Sequence, residues 1–319
     1  MSIEEKPTFA ADPAARPTPT SWYGSLHPGI LVAAGAVCTS VSAAFVKLAH
    51  TSAGTAAFFR CALALIVLVP MALADRRTSG PLARRSTWAS LAAGVLLGVD
   101  YVFWAASIHN VGASVATVLI NIQVLAFPLL ATVFEKTTLT RRFLLSVPVM
   151  LTGVVLASGA TSAAHEPGGD AVHGLMFGIL GGLAYGGYLY LMRAGGGTGS
   201  AVGPVCLSTA SAAAVAAVMG GLWGGVDPTP PGGALGWLTA LALIGQVLAW
   251  LLITAALPKL QPSASATLLL LHPALAILVG FGIGERPTAV QLAGCAVVIG
   301  TVWFTTRQGP PKDPALRKM

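Results

Sequence analysis

Ten apolar runs, each about the length that carries a helix across ~30 Å of hydrocarbon, dominate this chain and leave few folds open to it. They lie near 28–48, 53–74, 87–108, 112–134, 141–160, 172–193, 201–223, 234–257, 261–283 and 288–306. A backbone crossing oil must satisfy its own hydrogen bonds, so only helices and closed barrels span a bilayer. The short alternating segments of a barrel are absent, which predicts an all-α integral membrane fold with ten transmembrane helices. Charged residues make up 9% of the chain and fall between the runs, whereas an ordinary soluble domain carries about a quarter. Many runs are rich in Gly, Ala and Ser, as in LGGLAYGG and STASAAAVAAV, and small residues let membrane helices approach closely.

The cationic residues set an orientation. With the N-terminus inside, the cytoplasmic segments collect 15 of the 18 Lys and Arg residues, leaving Lys47 and Arg286 opposite and Arg60 within a span. The positive-inside rule then puts both termini in the cytoplasm of a cell-membrane, multi-pass protein. Contact of these residues with anionic lipid accounts for the net charge of +7, so no nucleic-acid partner is expected. Residues 1–27 lack the charged-then-apolar order of a signal peptide and, like 307–319, read as disordered cytoplasmic tails. Cys38, Cys61, Cys206 and Cys295 all fall inside spans without a CxxC pair, which predicts neither a disulfide nor a metal site.

A repeat organises the spans. At a shift of 150, ASVATVLINIQVLAFPLLATVFE (113–135) lies over SASATLLLLHPALAILVGFGIGE (263–285), and each segment ends in an acid followed by a base. At a shift of 146, His27 falls on His173, Gly35 on Gly181 and Lys47 on Arg193. Two five-span units follow, 28–160 and 161–306. An odd number of spans turns the second upside down, giving two inverted five-helix repeats around a central cavity, the architecture of secondary transporters.

Polar residues within the spans are the site candidates, because such groups face a bundle interior or a wet cavity. Asn121 and Gln123 interrupt the fourth run, and the repeat places Ile122, between them, over His272 in the ninth. Two helical residues two apart point about 200° from one another, so one amide is expected to serve packing rather than a solute. His272 is the stronger cavity candidate and, as an imidazole, a candidate carrier of a coupling proton. Asp100 and Arg60 lie at equal depth in the third and second runs, which predicts an ion pair acting as a clamp or a gate. Trp250, Tyr185, Tyr188 and Trp104 are deep enough to line a cavity or pack a core. Glu135 and Glu285 are expected to pair with the bases that follow them, and Arg193 to anchor its helix at the interface.

These features resemble the EamA-type members of the drug/metabolite transporter superfamily. The resemblance rests on the two five-span repeats, on FFRCALA opening the second span, and on Glu285-x-Pro287-Thr288 after the ninth. It implies a ten-helix carrier with a central cavity, exporting amino acids or other small metabolites. It also matches Arg60 to an arginine frequent in the family's second span, and Pro273 to a proline in its ninth. In the first repeat Gln123 stands where that proline falls, and Pro128 comes five residues later.

No HExxH, Walker A, GxSxG or Cys/His cluster is present, so neither an enzyme nor a cofactor is expected. The expected partners are a small-molecule solute, the lipid bilayer and a coupling proton. The alternatives to a secondary transporter are a channel and a receptor or assembly protein that binds without transporting. The sequence sets neither the solute nor the oligomeric state.

Overall fold

The computed structural model describes residues 26–306 apart from 137–138, 140, 159–169, 196–199, 224, 273 and 276–287. The two tails, Pro273, Glu285, Arg286 and Pro287 lie outside the described residues, as do the side chains of Lys47 and Cys295.

Every regular element among the described residues is helical. In chain order they are α1 (Pro28–Ala49), α2 (Ala53–Ser79), α3 (Arg84–Ile120), α4 (Gln123–Glu135), α5 (Arg141–Ser158), α6 (Ala171–Gly195) and α7 (Val202–Trp223). A long eighth span follows as α8 (Gly232–Ala240), a π-helical segment (Leu241–Leu248), α9 (Ala249–Ala256) and a 3-10 turn (Leu257–Lys259). It is followed by α10 (Pro262–Leu269) and α11 (Ala289–Thr306). Six helical stretches among the described residues are long and apolar enough to cross a membrane, the longest being Gly232–Lys259 at 28 residues. The protein is a multi-pass membrane protein, and its surface is inverted accordingly. Val133, Leu145 and Leu222 are more than 70% exposed, while Ser40, Asp100, Gln123 and Gln246 are buried.

Glycines set how closely the helices approach. A β-carbon on Gly94 of α3 would lie 2.1 Å from the Ser208 carbonyl oxygen of α7, so the two backbones touch there. One on Gly186 of α6 would lie 2.6 Å from Ala126 of α4.

The packing has the symmetry of the repeat. α3 packs on α6 and α7, and α4 on α6; correspondingly the eighth span packs on α1 and α2, and α10 on α1. Three further pairings, α2 with α7, α4 with α10 and α5 with α11, map onto themselves when the two sets of five spans are exchanged.

Two details differ from the sequence expectation. The loop expected between the third and fourth spans is helical, because α3 runs on for 37 residues. It is not a straight rod. Twelve helical residues would hold Ser107 and Leu119 roughly 18 Å apart, yet a β-carbon on Gly178 would sit 3.0 Å from Ser107 Oγ and 2.6 Å from Leu119 Cβ. The chain therefore doubles back between them while keeping helical hydrogen bonding. Secondly, the fourth span breaks at Asn121–Ile122, where short bonds such as Val124 N to Asn121 O (3.0 Å) replace the α pattern. Gly182 of α6 admits this break, since a β-carbon there would lie 2.4 Å from Ile122 Cγ2 and 2.8 Å from the Ile120 carbonyl. The ninth span breaks at Leu270, which the 150-residue shift places on Ile120. Both repeats thus interrupt the same span within two residues of the equivalent place, although the first has Gln123 where the second has Pro273.

Candidate functional site

Arg60 organises the centre of the bundle. Ser52 starts α2 by accepting a hydrogen bond from Thr55 N at 3.2 Å, an N-cap that satisfies one of the free amides of the first turn. Two turns further on, Arg60 enters the interior. Its Nε donates to Gln246 Oε1 at 2.9 Å and its Nη2 to the Gly245 carbonyl at 2.8 Å. The guanidinium also lies 4.6 Å from the centroid of the Tyr101 ring, a cation–π contact.

Both acceptors belong to the π-helical segment. Wider turns of this kind re-aim backbone groups and recur at functional sites. Here the Gly245 carbonyl meets the guanidinium, and the absent side chain of Gly245 admits α1, since a β-carbon would fall 2.1 Å from Ser42 Oγ. Gln246 is fully buried and uses both ends of its amide. Its Oε1 accepts from Arg60 and from the Tyr101 hydroxyl (2.8 Å), and its Nε2 donates to Thr209 Oγ1 at 3.1 Å. Trp250, one turn along, donates from Nε1 to the Tyr101 oxygen at 3.3 Å. Tyr188 and Tyr185 meet the Trp250 ring edge-to-face at 4.7 and 6.1 Å, a favourable aromatic geometry.

The cluster draws Arg60 and Tyr101 from the first five spans and Tyr185, Tyr188, Thr209, Gln246 and Trp250 from the second. Among the described residues, two of the five guanidinium N–H groups are engaged. Asp100, beside Tyr101, is 4% exposed and its Oδ1 has no hydrogen-bond partner among the described residues.

A model of the EamA-like transporter family matches the chain twice, over residues 27–159 and 172–307. The chain belongs to the EamA-like transporter family. A crystal structure titled only as that of a protein, 16% identical, superimposes on this EamA-like chain with a TM-score of 0.70, covering 88% of this chain and 96% of the other. It shares the fold. No curated protein matches in sequence.

The EamA-like fold distributes the sequence candidates unequally. Trp250, Tyr185 and Tyr188 meet around the Arg60 cluster. The expected ion pair between Arg60 and Asp100 is not formed among the described residues. Arg60 turns instead to Gln246 and Gly245, because the π segment presents acceptors on the side of α2 that the guanidinium reaches. Asp100 faces α6, where a β-carbon on Gly181 would lie 3.6 Å from its Oδ1. Trp104 is half-buried one turn away. Asn121 and Gln123 are both buried at the break before α4, and Gln123 Oε1 lacks a partner among the described residues. His272 follows the break in the ninth span. Its backbone carbonyl accepts from Ser40 Oγ of α1 at 3.0 Å, tying the interrupted helix to the first repeat.

Tyr101, Gln246 and Thr209 were not site candidates in the sequence. The one available signal was the spacing of Gln246 and Trp250, four apart on one helix face. A groove of about 500 Å³ opens elsewhere, between α5 and α11, lined by Leu145, Val149, Val297 and Phe304 with Arg142. It shares no residue with the Arg60 cluster.

Proposed function

We propose that this EamA-like protein is a secondary transporter that exports small metabolites such as amino acids by alternating access, with the Arg60 cluster as its solute site. One observation carries the reading: a partly buried guanidinium that lies on the Tyr101 ring, has N–H groups unengaged among the described residues, and joins the first repeat to Gln246 and Gly245 of the second. A charge in the membrane interior is expensive and persists where function uses it. A group held between two inverted halves can be exposed to either side as the halves rock. Arg60 then supplies hydrogen bonds and charge to an acidic group on the solute. Tyr185, Tyr188 and Trp250 supply apolar surface, and Asp100 offers an acceptor for an amine or a proton. His272, Asn121 and Gln123 stand along the path at the two helix breaks. The two repeats, 28–160 and 161–306, are the rocking units, and the basic loops keep both termini cytoplasmic.

The test is solute counterflow in proteoliposomes with a panel of amino acids and small organic acids. Saturable exchange in the wild type that falls at least tenfold in Arg60→Ala, with a normal melting profile, is the expected result. Exchange unaffected by that substitution removes the Arg60 cluster as the site. Unsaturable flux with single-channel conductance replaces the carrier by a channel.

A further inference from the structure

Two short helices lead from the centre of the bundle to one of its ends. α4 starts at the Asn121–Ile122 break and finishes at Glu135, and α10 starts after Leu260 and finishes at the Leu270 break. Each is a half-helix with one end at an interruption near the core and the other at the same end of the bundle. Their lengths, 13 and 8 residues, correspond to arms of about 20 and 12 Å.

Arg193, in the last turn of α6, joins the far end of α4 to the turn that leads into α10. Its Nε donates to Glu135 Oε2 at 3.3 Å. Its Nη1 donates to the carbonyls of Leu257, in the 3-10 turn that ends the eighth span, and of Leu260, which follows it. Alongside, Phe134 of α4 stacks on Tyr190 of α6 with centroids 5.6 Å apart. Glu135 was expected to pair with the adjacent Lys136. Lys136 instead caps α4 in the left-handed conformation, φ 54°, and Glu135 reaches across to the second repeat. Among the described residues Arg193–Glu135 is the one ion pair that crosses between repeats; the His173–Asp170 hydrogen bond closes within three residues.

We infer that Arg193 is the latch that holds the two half-helices shut at this end, and that its release lets α4 and α10 swing about their breaks to uncover the Arg60 cluster. This rests on the carrier reading, because only a protein with alternating access has use for such a latch. The chemistry suits a switch. The side chains of Arg193 and Glu135 are 15% and 27% exposed, so water can take over the donors and acceptors as they part, and no bare charge is stranded in oil. One planar guanidinium serves three acceptors in two segments, the end of α4 and the turn before α10, so losing it frees them together.

The test measures the distance between labels introduced as non-canonical amino acids at two exposed positions, Val133 of α4 and Lys259 of the 3-10 turn, in the full-length protein. In the wild type one short distance is expected. In Arg193→Ala a second population appears, longer by on the order of 5 Å, the scale of a one-turn shift. Arg193→Lys, which keeps the charge but loses the fork, returns part of the short population. A folded Arg193→Ala protein with the wild-type distribution overturns the latch. Should Arg193→Ala not fold, Glu135→Gln provides the same measurement, with a smaller long population expected and an unchanged distribution again overturning it. The measurement needs no solute. A lengthened distance without counterflow in the wild type supports the latch and removes the carrier, whereas counterflow with an unmoved distance keeps the carrier and removes the latch.

Discussion

At the end of the bundle where α2 begins, a β-carbon on Gly54 would lie 2.6 Å from the Gly225 carbonyl oxygen and 3.1 Å from that of Gly220. Short hydroxyl bonds reinforce the contact: Ser52 Oγ to the Gly225 carbonyl at 3.0 Å, and Asp227 N to Thr55 Oγ1 at 2.9 Å. At the opposite end the repeats meet through the long side chains of Arg193 and Glu135. Both ends join the same two repeats through close helix packing, α6 meeting α3 at Gly195 and Ala89 beside Arg193, but only at the Arg193 end is a short half-helix, α4, also held by a flexible cation. Backbone packing decays within an ångström or so of separation and cannot be exchanged for water one bond at a time. A partly exposed ion pair can. On the latch proposed above, the part that moves is α4 at the Arg193 end, while the Ser52 end is held by backbone contact and short hydroxyl bonds.

The strongest way to break this comparison is Gly54→Ala. The added methyl has no room between two carbonyls, so α2 and α7 must part, and overpacking of this kind costs about 1–3 kcal/mol. A clear drop in the thermal unfolding midpoint in detergent is expected. An unchanged midpoint would mean the Ser52 end is as yielding as the other.

Gln246→Leu comes next and probes the centre on which both ends bear. It leaves the Arg60 Nε and the Tyr101 hydroxyl without the oxygen they share, and unpaired buried donors cost roughly 1–3 kcal/mol each. The same melting assay should show a loss close to that of Gly54→Ala, together with loss of counterflow, which Gly54→Ala need not affect to the same degree. A Gln246→Leu protein that melts and transports normally removes this cluster from both roles.

Glu135→Gln should barely move the melting point. A partly exposed pair contributes around 0.2–1 kcal/mol, and glutamine keeps an oxygen for Arg193. Its effect belongs in the label distance, and a large melting shift without one would make Arg193 a structural anchor like those of the Ser52 end.

The ends and the repeat were legible in the sequence because the bilayer imposes length, and length survives in a linear code. Apolar runs, basic loops and matched end-marks such as Glu135 and Glu285 follow from it. Depth was legible for the same reason: Arg60 and Asp100 could be placed at one level by counting residues. What counting cannot supply is direction around the helix axis. Arg60 and Asp100 share a depth and face different neighbours, because the π segment turns the Gly245 carbonyl and Gln246 toward Arg60. Nothing in LALIGQVL announces a π turn, and the partners it joins lie 145 and 186 residues apart along the chain. The amides at Asn121 and Gln123 did mark the interruption of the fourth span, but as polar residues in oil rather than as a break in helical bonding.

The smallest effect concerns the Asp170–His173 contact, whose side chains bond, among the described residues, only each other and the first turn of α6, while the Asp170 amide donates to Asn110 Oδ1 of α3 at 3.1 Å. Asp170 precedes α6 and accepts from Val172 N and His173 N at 2.8 and 3.1 Å. The hydrogen bond from the His173 side chain, with those backbone amides, holds its carboxyl below the usual carboxylate range. A lowered native value means the contribution is complete above the unfolded value, near pH 4, and is lost as pH falls through the native one. Hydrogen exchange at the Val172 and His173 amides should therefore keep its protection from pH 7 to 5, after correction for intrinsic rates, and lose it only below about pH 4. In Asp170→Asn at pH 7, where the Arg193–Glu135 pair is untouched, the Val133–Lys259 distance should stay that of the wild type if Asp170 acts within its own helix alone. A distance that lengthens in that variant would couple the Asp170 cap to the Arg193 end, and the two ends could no longer be treated as independent.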